Sequence, residues 1–516
     1  MNLQIEWIKR AIGLCTEDQG PNVKEDESKR EQFRKLEEEY FVMSMEERDG
    51  IRNLLRTQFE TRDVLYLLSY FIYYMNVEDF KKDIFSYIER GKFDCYRGSM
   101  LELQTKIRIE GYYALKRELH RQNVEKYDKE INIKYTYIPV QKRNRKRIVV
   151  MTEQLLSTYH APSLVALNLM YILQKNLGYE VIFFACPTDR GLEKELWYRS
   201  HIMKSAEYFR NNKLTIEYRG VEFEGYQINM YPSGQKEYSM MLEIIHSWNP
   251  WFVLGLGVCN PVIDLVRKFT TLAVMEMSIE CPISEAEIMI RFTRMDESKE
   301  EEYQKEISKS GQVQIFMNEE MPALIERPEK SFTREELKLP QKDFLIAIVG
   351  NRLDIEVNDE FIQVLEQILK IEQNVSFVFI GTGQEFLEHM SKKIFEGHIY
   401  YLGYSDELMK TYGALDLYLN PKRLGGGYSG LFAQAAGLPV VTLPECDVAY
   451  NVGKDFLVQD YEDMIHTVCK YIEDEEFYAQ KKKMAIQMAT KNSEEKLTDY
   501  VSKMLENISE IMERKA

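Results

Sequence analysis

The stretch from Leu417 to Leu443 gathers the residues best suited to chemistry. An apolar strand, Leu417-Tyr418-Leu419, runs into Asn420-Pro421 and a basic pair, Lys422 and Arg423. Three glycines follow (Gly425, Gly426, Gly427), then a short helix of mostly small residues that starts with Tyr428 and Ser429. Gly437 closes that helix, and Leu438 to Leu443 begins another strand. Consecutive glycines let the backbone approach a ligand with no Cβ in the way. The helix behind them directs its unpaired N–H groups and the positive end of its dipole into the same space. Cations, bare amides and a helix N-terminus at the carboxyl end of a strand are the parts of a phosphate site. A Gly-rich turn among surface charges has the same local composition, but the strand–loop–helix–strand context favours the phosphate reading.

The elements that must position this stretch lie before it. Phe344 to Val349 reads as a strand ending at Gly350-Asn351-Arg352, and Phe361 to Ile371 as a helix. Val375 to Ile380 reads as a strand ending in Gly381-Thr382-Gly383, Ile399 to Leu402 as one ending at Gly403-Tyr404, and Asp406 to Tyr412 as a helix. Four strand ends with glycines would then face one crevice, with Arg352 and Arg423 among them. After the central stretch, Pro444 to Gly453 shows no regular pattern and is expected to be a loop.

The same alternation occurs earlier, from Ile148 onward. Ile148 to Met151, Val181 to Ala185, Trp251 to Gly257 and Thr271 to Met275 read as strands, and Leu214 to Ile228 as a hairpin. Ser163 to Leu177 reads as a buried helix, Pro261 to Lys268 as a second and Asp296 to Ile307 as an acidic one. Such βαβ units give parallel sheets with ligand loops at the strand carboxyl ends. His160, on the loop from Thr152 to Pro162, is a candidate base or hydrogen-bond donor there. It is equally a turn histidine before a proline. His246 reads as packing, and Gly255 and Gly257 suit either close approach of a ligand or tight packing.

Residues 1 to about 140 read as mostly helical, with the aromatic-rich segment Val64 to Met75 as a buried helix. The basic run Gln141 to Arg147 could rest on anionic lipid, but no amphipathic helix accompanies it, so a solvated linker is the expectation. The chain has 516 residues, 45% of them hydrophobic, too many for one core and too apolar for a disordered chain. A formal net charge of -16 argues against general nucleic-acid binding. Seven scattered cysteines without a CxxC pair argue against a disulfide framework or zinc site and for a reducing, cytoplasmic setting. No signal peptide is read at the N-terminus, and the apolar run from Trp251 to Val258 is too short to span a bilayer.

The pattern Asn420-Pro421-x-Arg423-x-Gly425-Gly426-Gly427, a helix, then Gly437-Leu438-Pro439-Val440-Val441 resembles the donor-binding region of GT-B fold glycosyltransferases, most closely glycosyltransferase family 4. The resemblance implies an α/β fold of the GT-B type, two Rossmann-like domains facing a cleft, preceded by a mainly helical N-terminal region. The expected domains are residues 1–145 (helical), 146–325 (acceptor), 326–490 (nucleotide-sugar donor) and 491–516 (a terminal helix returning to the first half). The implied activity is sugar transfer from a nucleotide diphosphate sugar, a UDP-sugar by expectation, to a glycan, lipid-linked glycan or protein. Retention of configuration goes with it, and no further cofactor is expected. Charge stabilisation by the loop and arginines requires no metal, and the sequence has no Asp-x-Asp or His-rich ligand set to bind one. The expected setting is the cytoplasm, with peripheral contact at the inner face of a membrane as the alternative. By the same resemblance Arg352 contacts the donor phosphates and Tyr404 the base. Gly350, Gly381, Lys422, Gly425, Gly426, Gly427, Tyr428 and Ser429 complete the expected site.

The pattern departs from the family at three positions. The glutamate that binds the donor's ribose is replaced by Phe432, and its upstream partner by Leu424. A lysine expected five residues after Arg352 is Val357, which leaves Lys422 or Arg423 to supply that charge. A rival expectation is therefore a GT-B scaffold without activity that binds a glycosylated partner or assists a partner enzyme. An epimerase or phosphorylase of the same fold is a third, disfavoured for want of a lysine suited to a pyridoxal cofactor or of an acid–base carboxylate pair.

Overall fold

A computed structural model describes the chain except for residues 1, 17–26, 59–60, 76, 91–97, 99–101, 103–104, 106–108, 110, 154, 156–160, 187–212, 228–233, 258–259, 278–280, 293–296, 318–320, 326, 385, 424, 445 and 516. Two compact units result. The first comprises residues 1–158, 173–316 and 506–516, the second residues 159–172 and 317–505.

Among the described residues the first unit opens with five helices: α1 (Asn2–Thr16), α2 (Glu27–Val42), α3 (Met45–Gln58), α4 (Thr61–Tyr74) and α5 (Glu78–Arg90). They enclose their own core around Trp7, Tyr40, Phe71 and Phe80. Trp7 Nε1 donates to the Leu36 carbonyl at 3.0 Å, which satisfies the buried indole. A capping box starts α3: Ser44 Oγ accepts from Glu47 N at 3.3 Å, and Glu47 Oε2 accepts from Ser44 N at 2.8 Å. The aromatic-rich segment is a buried helix, with Val64, Leu65, Leu68 and Phe71 fully enclosed. Helix α6 (Tyr113–Ile131) leads from this bundle to the sheet.

Among the described residues that sheet has eight strands: β1 (Asn144–Thr152), β2 (Glu180–Ala185), β3 (Lys213–Tyr218), β4 (Val221–Gln227), β5 (Pro250–Leu256), β6 (Leu272–Met275), β7 (Ile288–Arg291) and β8 (Val313–Phe316). Their order is β3-β4-β2-β1-β5-β6-β7-β8, parallel except for the β3–β4 hairpin at one edge. Strands β7 and β8 were not expected from the sequence. The helices of this region are α7 (Ala161–Tyr171), which belongs to the second unit, α8 (Gly234–Trp248), α9 (Pro261–Asp264) and α10 (Glu297–Ser310). The helix expected from Ser163 to Leu177 leaves α geometry at Ile172, where a π-turn runs to Asn176.

The basic run is not a linker. It forms a 3-10 turn (Val140–Lys142) and the first half of β1. Arg143 is buried and donates to the Ile138 and Trp251 carbonyls at 2.8 and 3.1 Å. Arg147 donates to Glu180 at 2.7 Å and Arg145 to Glu513 at 3.1 Å. His246 stacks on Tyr135, with ring centroids 4.3 Å apart, which is a packing role. A Cβ on Gly255 would lie 3.1 Å from both Ile263 and Val274, so this glycine serves packing too.

The second unit is an all-parallel, five-stranded sheet among the described residues. Its elements run β9 (Phe344–Gly350), α11 (Leu353–Glu356), α12 (Asp359–Ile371), β10 (Val375–Gly381), α13 (Phe386–His389), β11 (Ile399–Gly403), α14 (Leu408–Tyr412), β12 (Leu417–Leu419), α15 (Gly427–Ala436), β13 (Val440–Val441), α16 (Asp447–Val452), α17 (Tyr461–Glu473), α18 (Glu475–Ala489) and the first part of α19 (Glu494–Arg514), whose residues from 506 on belong to the first unit. Residues alternate between two cores. Ile346 and Ile348 face α12 and α17, whereas Leu345, Ala347 and Val349 face α15 and α18. Burial on both faces is why these strands read as continuous apolar runs. The order is β11-β10-β9-β12-β13. The chain steps from β9 outward to β11, then returns to the other side of β9 with β12. That reversal places a crevice at the carboxyl ends of β9 and β12, where open α/β sheets bind ligands.

One expected loop is ordered as a helix. Asp447 to Val452 forms α16, with the Cys446 side chain as its N-cap acceptor for Ala449 N. It packs closely on α15: a Cβ on Gly430 would lie 2.9 Å from Val448 and from Val452. Small residues on α15 make that approach feasible.

Candidate functional site

The crevice between β9 and β12 carries Arg352 after one strand and Arg423 after the other. Both arginines meet the same carboxylate. Glu356, on α11, accepts from Arg423 Nη1 at 2.5 Å through Oε2. Its Oε1 accepts from Arg352 Nε at 3.2 Å. The glycine that ends β9 makes room for this cluster, since a Cβ on Gly350 would sit 2.2 Å from Glu356 Oε2 and 2.7 Å from Arg423 Nη1.

The two arginines differ in what they can reach. The Arg423 side chain is 4% exposed, and its other nitrogens donate to Asn420 Oδ1 at 2.9 Å and to the Tyr418 hydroxyl at 2.8 Å. Burial by itself works against its charge, but Tyr418 and Glu356 reverse that and hold the guanidinium protonated above its ordinary range. Arg423 thus faces inward and braces the loop. Arg352 has 41% of its side chain exposed and lies by the glycine loop, its Nη2 3.6 Å from where a Gly425 Cβ would be. Lys422 is exposed. Val357 is 2% exposed in the core and offers no charge to the crevice.

The glycine loop has the backbone that an anion site needs. Gly425 and Gly426 take φ values of +93° and +83°, in the left-handed region that favours glycine. Gly426 is the N-cap of α15, and no side chain caps that helix. The amide of Gly425 donates to Asp447 Oδ2 at 2.6 Å. A Cβ on Gly427 would lie 2.6 Å from Asn451 Nδ2, so this third glycine serves the packing of α16.

The remaining expected residues divide. Ser429 turns inward, its Oγ donating to the Gly426 carbonyl at 2.6 Å and standing 3.1 Å from the Tyr418 hydroxyl. Tyr428 accepts from Asn168 Nδ2 of α7 at 3.4 Å, and its ring meets Phe432 edge to face at 5.8 Å. The position where the resemblance expects a ribose-binding glutamate is therefore part of an aromatic pair. Gly381 is explained by strand packing: its Cβ would fall 1.7 Å from the Gly350 carbonyl oxygen. Tyr404 follows β11, two strands away from β9, and is 51% exposed. His160 and Leu424 lie outside the described residues. Sequence reasoning overlooked Glu356 and Asp447. Glu356 stands four residues after Arg352, the spacing of a helical ion pair, which was a legible signal. Asp447 had none, because its partner is 22 positions away. Among the described residues no group of three His, Cys, Asp or Glu side chains is arranged to hold a metal ion.

Two parallel-sheet units, with an anion-ready glycine loop at the switch point of the second, define the class. The fold is that of the GT-B glycosyltransferases. Residues 343–474 match the family described as Glycosyl transferases group 1, so the second unit carries a domain of that family. Among solved structures, the chain is similar to a mutant O-GlcNAc transferase of Thermobaculum terrenum over 99% of both chains, with 13% identity and a TM-score of 0.56. It is also similar to an α,α-trehalose 6-phosphate synthase of Burkholderia multivorans (71% of this chain, 100% of that one, 11% identity, TM-score 0.46). The pneumococcal O-GlcNAc transferase GtfA in complex with UDP and GlcNAc aligns over 57% of this chain and 69% of that one, with 14% identity and a TM-score of 0.39. No curated protein matches the chain in sequence.

Proposed function

We propose that the protein transfers a sugar from a nucleotide diphosphate sugar, UDP-linked by expectation, to a glycan, lipid-linked glycan or protein acceptor. The observation that carries this is the exposed Arg352 guanidinium beside the left-handed Gly425-Gly426 loop and the uncapped start of α15. In the reaction the bond from the anomeric carbon to the diphosphate breaks while a bond to the acceptor nucleophile forms, and the acceptor gives up a proton. Negative charge then grows on the leaving diphosphate. Arg352 and the first amides of α15 would stabilise it, and preorganised donors of this kind lower such barriers by several kcal/mol. Arg423 and Glu356 would fix Arg352 and the loop rather than touch the donor. Retention of configuration and independence of metal belong to this proposal.

A scaffold without activity is the second reading. It draws on Val357 in the core, Phe432 in an aromatic pair and the occupied Gly425 amide. Calorimetric titration with UDP and GDP, followed by an assay for sugar release from the matching nucleotide sugar, separates the two. Micromolar binding with turnover supports the transferase. Binding of neither nucleotide would overturn it and leave the scaffold.

A further inference from the structure

Three of the crevice's anion-accepting groups already meet this chain's own carboxylates. Arg352 and Arg423 face Glu356, and the Gly425 amide faces Asp447. An incoming diphosphate therefore meets carboxylates as well as cations, and it reaches the Gly425 amide only if the carboxylate on that amide yields. Glu356 is not the one to move: its side chain is 6% exposed and bound to a buried guanidinium. Displacing it would strand Arg423 without its counter-charge. Asp447 is partly exposed at the first residue of the six-residue α16, so of the two carboxylates it is the one with solvent to turn into.

Asp447 also occupies the informative position. Where backbone hand alternates, successive N–H groups turn into a common concavity, which attracts anions. Left-handed Gly426 runs into the right-handed start of α15 at Gly427, and Asp447 Oδ2 lies 2.6 Å from the amide of Gly425, directly before that change of hand. A carboxylate oxygen there presents the charge and acceptor geometry of a phosphate oxygen.

We propose that Asp447 is an internal placeholder for the donor's diphosphate, occupying the Gly425 amide in the empty site and leaving it when the anion binds. This rests on the donor-site reading above. The carboxylate helps to keep Gly425 in the ligand-ready conformation. It also sets affinity, since its charge opposes phosphate until it swings away. It is a positioning and gating residue, with no role in bond making.

The test is calorimetric titration of wild type, Asp447→Asn and Asp447→Ala with UDP, GDP and uridine, with the melting temperature of each protein recorded. Alanine is a good helix former, so α16 should persist. Removing one like charge a few ångströms from a phosphate should tighten the diphosphate that binds by about tenfold in both variants. Uridine, which has no phosphate, should bind all three proteins equally. Equal or weaker diphosphate binding by variants that melt like wild type overturns the placeholder and leaves the donor site standing. Binding of neither diphosphate to any of the three overturns both.

Discussion

Glu356 Oε2 lies 2.5 Å from Arg423 Nη1, and the two side chains are 6% and 4% exposed. The pair joins the loop after β12 to the short helix after β9, so the glycine loop and its neighbouring arginine are braced as one piece. Removing one member of a buried pair leaves the other charged and unsatisfied. Glu356→Ala should therefore cost about 3–5 kcal/mol of stability. Urea unfolding measures it, and a loss under about 1 kcal/mol would show that the pair does not brace the loop.

Arg352→Ala and Arg423→Ala should separate binding from stability. Arg352 is partly exposed, so its loss should weaken diphosphate binding about tenfold or more while the melting temperature stays close to wild type. Arg423→Ala should lower the melting temperature strongly, because Glu356, Asn420 and Tyr418 lose their common partner. Calorimetry and thermal unfolding on the same preparations give both readouts. Equal thermal losses in the two variants would contradict this assignment.

Gly381→Ala should be severe although it touches no charge. Its φ of +142° and a Cβ 1.7 Å from the Gly350 carbonyl oxygen force apart the ends of β9 and β10. A loss of about 3 kcal/mol or more is expected from such overpacking. Gly397→Ala, with φ +85° but open space around it, should cost less. Chemical denaturation of the two variants checks the ranking.

His120 should give the first unit a pH-dependent stability. It is enclosed between Glu102 and Asp264, with Asn123 and Ser284 completing the carboxylates' hydrogen bonds at 2.8 and 2.5 Å. Burial alone pulls the imidazole down, but the two carboxylates more than reverse it, pushing its pKa from 6.5 up to about 10. A raised folded-state pKa means the contribution is complete below pH 6.5 and is lost as pH rises through about 10. The difference in unfolding free energy between wild type and His120→Gln should shrink across that range. A difference that stays constant from pH 6 to pH 10 would contradict it.

The sequence by itself determined the layers. Strands buried on both faces must be apolar along their whole length, and the helices between them must turn one stripe inward, so β9, β10, β12 and α12 are visible as patterns. It also determined the glycine loop, because only glycine takes the left-handed backbone of residues 425 and 426 at low cost. The strands β7 and β8 escaped because Arg291 and Gln314 interrupt them, so neither shows the continuous apolar run that marks β9 and β12. Helix α16 escaped because its cap is a thiol and its partner is the glycine face of α15.

Only the tertiary structure decided which way the charges face. Arg352 and Arg423 look alike in a list of basic residues near glycines. Packing buries one against Glu356, 67 positions away, and leaves the other partly open to water. The Gly425 amide meets Asp447 for the same kind of reason, across 22 positions. Local pattern records the cost of burying apolar surface, which each segment meets for itself. The partner of a charge is set by where the sheet order brings distant strand ends together, and no segment carries that alone.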